Sequence, residues 1–252
     1  MNSLFDLSGK VAVVTGASTG LGQGIALALA QANADIVGVD YVPMPETEQK
    51  VTGLGRRFCA MVENLMTIEP CQRIIDGAVS AFGHVDILVN NAGIIRRQDA
   101  IDFTEQDWDE VMSINSKVVF FLSQAAARQY IKQGAGGKII HIASLLSYQG
   151  GIRVPSYTAS KSAVMGLARA MCTEWAQHGI CTNAIAPGYM VTNNTAPLRA
   201  DAKRSADILA RIPAGRWGTP GDVAGPAVFL ASAASDYVNG YTIAVDGGWL
   251  AR

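Results

Sequence analysis

Lys10-Val11-Ala12-Val13-Val14-Thr15-Gly16-Ala17-Ser18-Thr19-Gly20-Leu21-Gly22 runs from a β-rich apolar segment straight into a glycine-rich turn. Residues 10–14 read as a first strand. Residues 21–32 read as the helix behind it, because apolar side chains there recur at helical spacing. Glycines at 16, 20 and 22 let the backbone turn tightly and let another group approach without meeting a Cβ. The helix starts at once, so its unpaired N–H groups and the positive end of its dipole face the turn and favour an anion such as a pyrophosphate.

Outward from this unit, short apolar runs alternate with longer stretches of helical period. Strands are expected at 35–39, 57–62, 85–89, 138–143, 180–185 and 241–245, and helices at 67–82, 104–133 and 156–178. Thr104 followed by Asp107 has the form of an N-cap with an acidic first turn, and Gly179 closes the helix before it. This alternation implies right-handed βαβ crossovers. The expected fold is α/β: a single-domain, doubly wound (Rossmann) parallel sheet of about seven strands with helices on both faces. Ligands in such sheets bind beyond the carboxyl ends of the strands, where the strand order reverses.

Composition agrees. The 252 residues contain no linker, charge block or low-complexity run, and the formal net charge of −1 gives no basic patch for nucleic acid. A hydrophobic share of 49% against 16% charged suits strands covered on both faces. The first ten residues lack the apolar core of a signal peptide, and no run is long enough for a membrane span. Cysteines 59, 71, 172 and 181 form no CxxC pair, and histidines 84, 141 and 178 show no metal spacing. The chain therefore reads as cytoplasmic and metal-free.

Two decoys sit in the glycine turn. Gly16-Ala17-Ser18-Thr19-Gly20 satisfies the G-x-S-x-G nucleophile elbow, but it follows the first strand and no Asp/Glu-then-His pair follows it. The Walker pattern fails because no Gly-Lys-Ser or Gly-Lys-Thr occurs. Asp40 ends the second strand, where a carboxylate accepts hydrogen bonds from ribose hydroxyls and repels a 2′-phosphate. Thr19 and Tyr41 stand where an arginine would clamp that phosphate, so the cofactor expected is NAD rather than NADP.

Tyr157 and Lys161 lie one helical turn apart on a shared face. An ammonium near a phenol favours the phenolate and is expected to lower its pKa from about 10 toward neutrality. That would make Tyr157 a general base for alcohol oxidation and a general acid for ketone reduction. Ser144 ends the fifth strand with a hydroxyl free to bond a carbonyl.

With Thr15-Gly16-x-x-x-Gly20-x-Gly22, Asn90-Asn91-Ala92-Gly93, Asn115, Ser144, Tyr157-x-x-x-Lys161 and Pro187-Gly188 on the page, the chain resembles the short-chain dehydrogenase/reductase family over essentially its whole length. The resemblance implies a hydride transfer between a nicotinamide and a secondary alcohol or ketone. It implies that Tyr157 is the acid/base, that Ser144 orients the substrate oxygen, and that Lys161 binds the nicotinamide ribose while tuning Tyr157. Asn115 would hold a water that relays protons. Gly16, Ser18, Thr19, Gly20, Leu21 and Gly22 would hold the phosphates, and Asp40 and Tyr41 the adenosine ribose. Asn91, Ala92 and Gly93 would line the adenine-ribose side, and Pro187, Gly188, Met190 and Thr192 the nicotinamide. Many members carry an aspartate for the adenine amino group; Asn64-Leu65 stands there, and the Asn64 oxygen can accept the same bond. A homotetramer is also implied; the apolar girth of residues 118–127 and 164–171 suggests helices buried twice.

Within the family the chain resembles the 2-deoxy-D-gluconate 3-dehydrogenases, also described as 2-dehydro-3-deoxy-D-gluconate 5-dehydrogenases. The matching stretches are Asn90-Asn91-Ala92-Gly93-Ile94-Ile95-Arg96-Arg97, Gln149 through Tyr157, and the end from Ser235 through Asp246-Gly247-Gly248-Trp249-Leu250-Ala251-Arg252. Gluconate 5-dehydrogenases and other polyol dehydrogenases are neighbours, and a non-catalytic NAD(H) sensor is the alternative of another class. A sugar acid brings a carboxylate that a guanidinium binds in bidentate fashion. Arg96, Arg97 and Arg153 lie on the expected side, with Arg153 the first choice and Ser144, Tyr157 and Arg97 beside it. Residues 192–213 have the character of a lid over the bound pair.

Overall fold

The computed structural model describes residues 4–252. Its centre is β1 (Val11–Thr15), whose five residues are all buried. Alternate side chains go to opposite faces. Ala12 and Val14 join a core with Ile25, Leu29, Val223 and Leu230, while Val11 and Val13 join one with Ile74, Ile75, Leu122 and Tyr130.

The chain runs β1, α1 (Gly20–Gln31), β2 (Asp35–Asp40), α2 (Pro45–Gly53), β3 (Phe58–Val62), α3 (Pro70–Phe82) and β4 (Ile87–Asn90). It continues through α4 (Glu105–Met112), α5 (Val118–Gln133), β5 (Gly137–Ile142), α6 (Pro155–Trp175) and β6 (Ile180–Pro187). The last elements are α7 (Ala196–Ala200), α8 (Ala202–Arg211), α9 (Pro220–Ala231) and β7 (Thr242–Val245). All neighbouring strands are parallel, in the order β3-β2-β1-β4-β5-β6-β7. The order reverses between β1 and β4, so the crevice for a ligand opens above their carboxyl ends. Among the described residues, no helix is long and apolar enough to cross a membrane.

Three features depart from the sequence expectation. The helix expected over 104–133 is capped as expected, with the Thr104 side chain accepting from the Asp107 N–H at 3.1 Å. It is, however, broken by a π-turn at Ser113–Lys117, a distortion that often marks a functional position. Helix α2 was not expected because it buries only Thr47 and Val51 and so carries little apolar period. Helix α9 was hidden by Gly221, Gly225 and an internal Pro226, residues that ordinarily argue against a helix. It forms because its Val223, Ala227 and Leu230 face is buried with α1. A Cβ on Gly24 of α1 would stand 2.7 Å from Pro220 Cβ, so the two helices meet at a glycine.

Candidate active site

Above β1 the chain makes its glycine turn. Gly16 (φ +67) and Gly20 (φ +59) adopt left-handed backbone, which an L side chain rarely tolerates. A Cβ on Gly22 would overlap the Gly16 carbonyl oxygen. Thr19, the α1 N-cap, makes no side-chain capping bond, so the first-turn N–H groups stay available to an anion. This cradle fits a dinucleotide pyrophosphate.

Several groups hold it in shape. The Thr15 hydroxyl oxygen accepts the N–H groups of Asn91 and Ala92, each at 3.0 Å. Asn91 Nδ2 donates back to the carbonyls of Thr15 (2.9 Å) and Gly16 (3.2 Å). From α2, the buried Thr47 hydroxyl donates to Ala17 O at 2.8 Å, and Gln23 Nε2 reaches Ser18 O at 3.1 Å. Asp40 accepts Ser18 N–H at 2.9 Å and Tyr41 N–H at 2.8 Å. Thr47 and Gln23 were missed in the sequence because they lie on helices at positions with no motif. The signal that could have found Thr47 is a hydroxyl on the buried face of α2.

The second half of the site gathers beyond β5. Ser144 caps a short 3-10 turn, its oxygen accepting Leu146 N–H at 3.2 Å. Pro155 starts α6, which suits a residue with no N–H to lose, and the helix then carries Tyr157 and Lys161. Lys161 Nζ donates to Ile142 O at 2.6 Å and lies 5.6 Å from the centre of the Tyr157 ring. The π-turn delivers Asn115, which is fully buried. Its Oδ1 accepts Ile94 N–H at 2.9 Å, and its Nδ2 donates to Ile94 O (2.9 Å) and Ser160 Oγ (3.1 Å).

Burial sets the charges. Lys161 is 5% exposed, and desolvation pushes its ammonium down from 10.5 to about 8. Burial pushes the Tyr157 phenol up; a hydrogen bond from Ser144 and the positive charge of Arg97 pull the other way without cancelling it. The phenol therefore stands above its ordinary value here, where the ammonium of Lys161 was expected to lower it toward neutrality. Lys161 Nζ is engaged by the Ile142 carbonyl, and Arg97 contributes a positive charge that pulls the phenol down.

Tyr157 and Ser144 open into a cavity of about 350 Å³. Pro187, Gly188 and Tyr189 form one side of its lining, and Arg97, Leu198, Arg204, Ile208 and Arg211 contribute further. Residues 192–213 are thus helical and sit over the cavity. Ile208 and Ile212 anchor them in an apolar cluster with Leu145 and Trp249.

A family model described as enoyl-(acyl carrier protein) reductase matches residues 16–250. The chain is 68% identical over 250 residues to a 2-dehydro-3-deoxy-D-gluconate 5-dehydrogenase of Escherichia coli (strain K12), covering 99% of both. The chain belongs to the short-chain dehydrogenase/reductase family. This dehydrogenase also superimposes on a candidate 2-deoxy-D-gluconate 3-dehydrogenase from Agrobacterium tumefaciens with bound NADP, at TM-score 0.94 and 52% identity, covering 99% of this chain and 100% of that one. A gluconate 5-dehydrogenase from Burkholderia cenocepacia in complex with NADP and tartrate gives TM-score 0.94 at 39% identity, covering 100% and 99%. As a family member, the dehydrogenase is an oxidoreductase that uses a nicotinamide cofactor.

Not every residue named from the sequence stands where it was expected. Arg153 does not line the cavity; it is exposed, has φ +64, and its Nε lies 3.0 Å from Asp99 Oδ1. Arg96 is paired with Glu110 at 2.7 Å and Asp107 at 3.3 Å. Arg97 does line the cavity, with Nη2 donating to Asn194 O at 2.8 Å. The dehydrogenase turns Asn91 inward as a brace for the glycine turn. Gly93 packs against Asn115 and Lys161, since a Cβ there would stand 2.9 Å from Asn115 Oδ1 and 3.7 Å from Lys161 Nζ. The Asn64 oxygen accepts Met66 N–H at 3.0 Å in a local turn. Leu65 and Met190 bury their side chains in the two cores, and the Met190 carbonyl accepts the Thr195 hydroxyl. Thr192 stands over the glycine turn, with Cγ2 3.9 Å from where a Gly20 Cβ would be.

Proposed function

We propose that the chain is an NAD-dependent dehydrogenase of a sugar acid, moving a hydride between the nicotinamide and a secondary alcohol or its ketone, as a 2-dehydro-3-deoxy-D-gluconate 5-dehydrogenase (2-deoxy-D-gluconate 3-dehydrogenase) does. The observation that carries the reading is the cavity where Ser144, Tyr157 and the arginines converge, set beside the high identity to a relative of that name. The experiment is a steady-state comparison of purified protein with NAD and a panel of sugar acids and neutral polyols. Turnover confined to neutral polyols, or absent with every sugar acid, would overturn it.

In this reading the Ser144 hydroxyl holds the substrate oxygen and Tyr157 moves its proton. The bound nicotinamide supplies the hydride acceptor. A phenol held above its ordinary pKa suits proton donation to a ketone; for oxidation it must lose its proton, and Lys161 is the adjacent group able to take part. Asn115 fixes the Ile94 turn and Ser160, which keeps the wall beside Lys161 in place. Lys161 with a pKa near 8 is protonated below that value and neutral above it. Oxidation by the free enzyme is therefore expected to rise as pH increases through about 8. In Lys161→Arg, whose guanidinium does not deprotonate, that limb should vanish from the kcat/KM profile. An unchanged limb would assign the titration elsewhere.

The choice of NAD rests on Asp40. Its carboxylate stands at the end of β2 tied to the glycine turn, and a carboxylate in that place would accept ribose hydroxyls and repel a 2′-phosphate. Three of the solved relatives hold NADP, so the ratio of kcat/KM with NAD to that with NADP is the discriminating quantity. Asp40→Asn keeps an acceptor for Ser18 N–H and removes the charge. It is expected to shift that ratio toward NADP by on the order of 10-fold, the loss of one charge-assisted contact. A wild-type preference for NADP would overturn the assignment. The same reading includes a cytoplasmic homotetramer, supported by the part-open apolar residues Phe120, Phe121, Met165 and Leu167 on α5 and α6.

A further inference from the structure

Three guanidinium groups line the cavity, those of Arg97, Arg204 and Arg211. They are not equivalent. Arg97 donates to Asn194 O at 2.8 Å, and its charge is felt by the Tyr157 phenol. Of the three it is the one whose charge reaches the Tyr157 phenol. Arg211 lies with its guanidinium carbon 4.2 Å over the Trp249 ring, a contact that already offsets part of its charge. Arg204 differs from both. Its backbone N–H caps onto Asp201 Oδ1 at 2.9 Å, but its guanidinium has no hydrogen bond or ion pair among the described residues. Its side chain is half-buried, although most residues of α8 are exposed.

A guanidinium drawn partly out of water, without a partner and turned to a cavity, is a site that a carboxylate would complete in bidentate fashion. We propose that Arg204 is a specificity-determining residue, the group that recognises the substrate carboxylate. The proposal rests on the sugar-acid reading above and names the residue that enforces it. In a substrate whose oxidised carbon lies several bonds from the carboxylate, the cation whose charge reaches Tyr157 meets the reacting end of the molecule. The carboxylate falls to a cation elsewhere on the wall. Asp207, one turn further along α8, lines the same wall and suits the hydroxyl groups between. Because Ile208 and Ile212 pin α8 against Leu145 and Trp249, a carboxylate held by Arg204 ties the lid to the reacting centre.

The test uses full-length Arg204→Gln, Arg204→Lys and Arg211→Gln with NAD, 2-dehydro-3-deoxy-D-gluconate, which is oxidised at C5 far from its carboxylate, and the uncharged polyol analogue that has an alcohol in place of that carboxylate. The quantity read is the ratio of kcat/KM for the acid to that for the polyol. In Arg204→Gln this ratio is expected to fall by on the order of 10- to 100-fold, mainly through KM for the acid. Arg204→Lys should recover part of it, because the charge returns without the planar fork. A merely structural role for α8 would lower both substrates together and leave the ratio unmoved, which would overturn the proposal. So would a fall in Arg211→Gln that Arg204→Gln does not show. If the wild-type protein turns over the polyol and no sugar acid, the sugar-acid reading itself fails and takes Arg204 with it.

Discussion

Tyr157→Phe is expected to lower kcat by roughly 100- to 10,000-fold, the range ascribed to a positioned acid/base group, while NADH still binds. The ring stays and only the hydroxyl leaves. Tyr157 is half-buried on α6, and its oxygen is the atom that Ser144 and Arg97 act upon. Ser160 bonds the Tyr157 backbone carbonyl at 2.8 Å, independently of the phenol, so the helix should keep its place. The check combines single-turnover rates with fluorescence titration of NADH. Binding and rate lost together would point to a folding defect; an unchanged rate would remove the phenol from the chemistry.

The second large effect is at Gly22. A methyl group there would collide with the Gly16 carbonyl and stand 2.5 Å from Asn91 Nδ2, neither of which is the loose end of a flexible side chain. Either the glycine turn or the start of α1 must shift. Overpacking of this kind costs about 1–3 kcal/mol of stability. The cofactor should suffer more, since its phosphates depend on the N–H groups of that same turn. Gly22→Ala is expected to weaken dinucleotide binding by more than 10-fold with a modest loss of Tm. Gly53→Ala, at a helical position with open space around it, serves as the control. Unaltered binding in Gly22→Ala would show that the turn does not hold the phosphates.

Much of this was legible in the chain itself. Strands with continuous apolar runs, such as β1 and β2, and the turn between β1 and α1 follow from local pattern alone. So does the placing of Tyr157 and Lys161 on one face. The rest depends on three-dimensional context. Helix α9 contains Pro226 and two glycines and forms because α1 offers it a surface. Arg153 looked suited to a carboxylate by its place in the chain, yet Asp99 lies across the loop from it. Whether the Tyr157 phenol rises or falls depends on how much water its cavity admits and on Arg97, remote in sequence. Arg204 carries no motif; its meaning comes from the helix that turns it toward the cavity and from the partners it lacks.

The central claim is that this site takes a hydride from a secondary alcohol carbon of a sugar acid. A sugar acid carrying deuterium on the oxidised carbon tests it directly, with NAD as the second substrate and mass analysis of both products. One deuterium per turnover on the nicotinamide ring, together with a slowed single-turnover rate, is the predicted result. Deuterium released to water, or an oxidised product formed without labelled NADH, would contradict it.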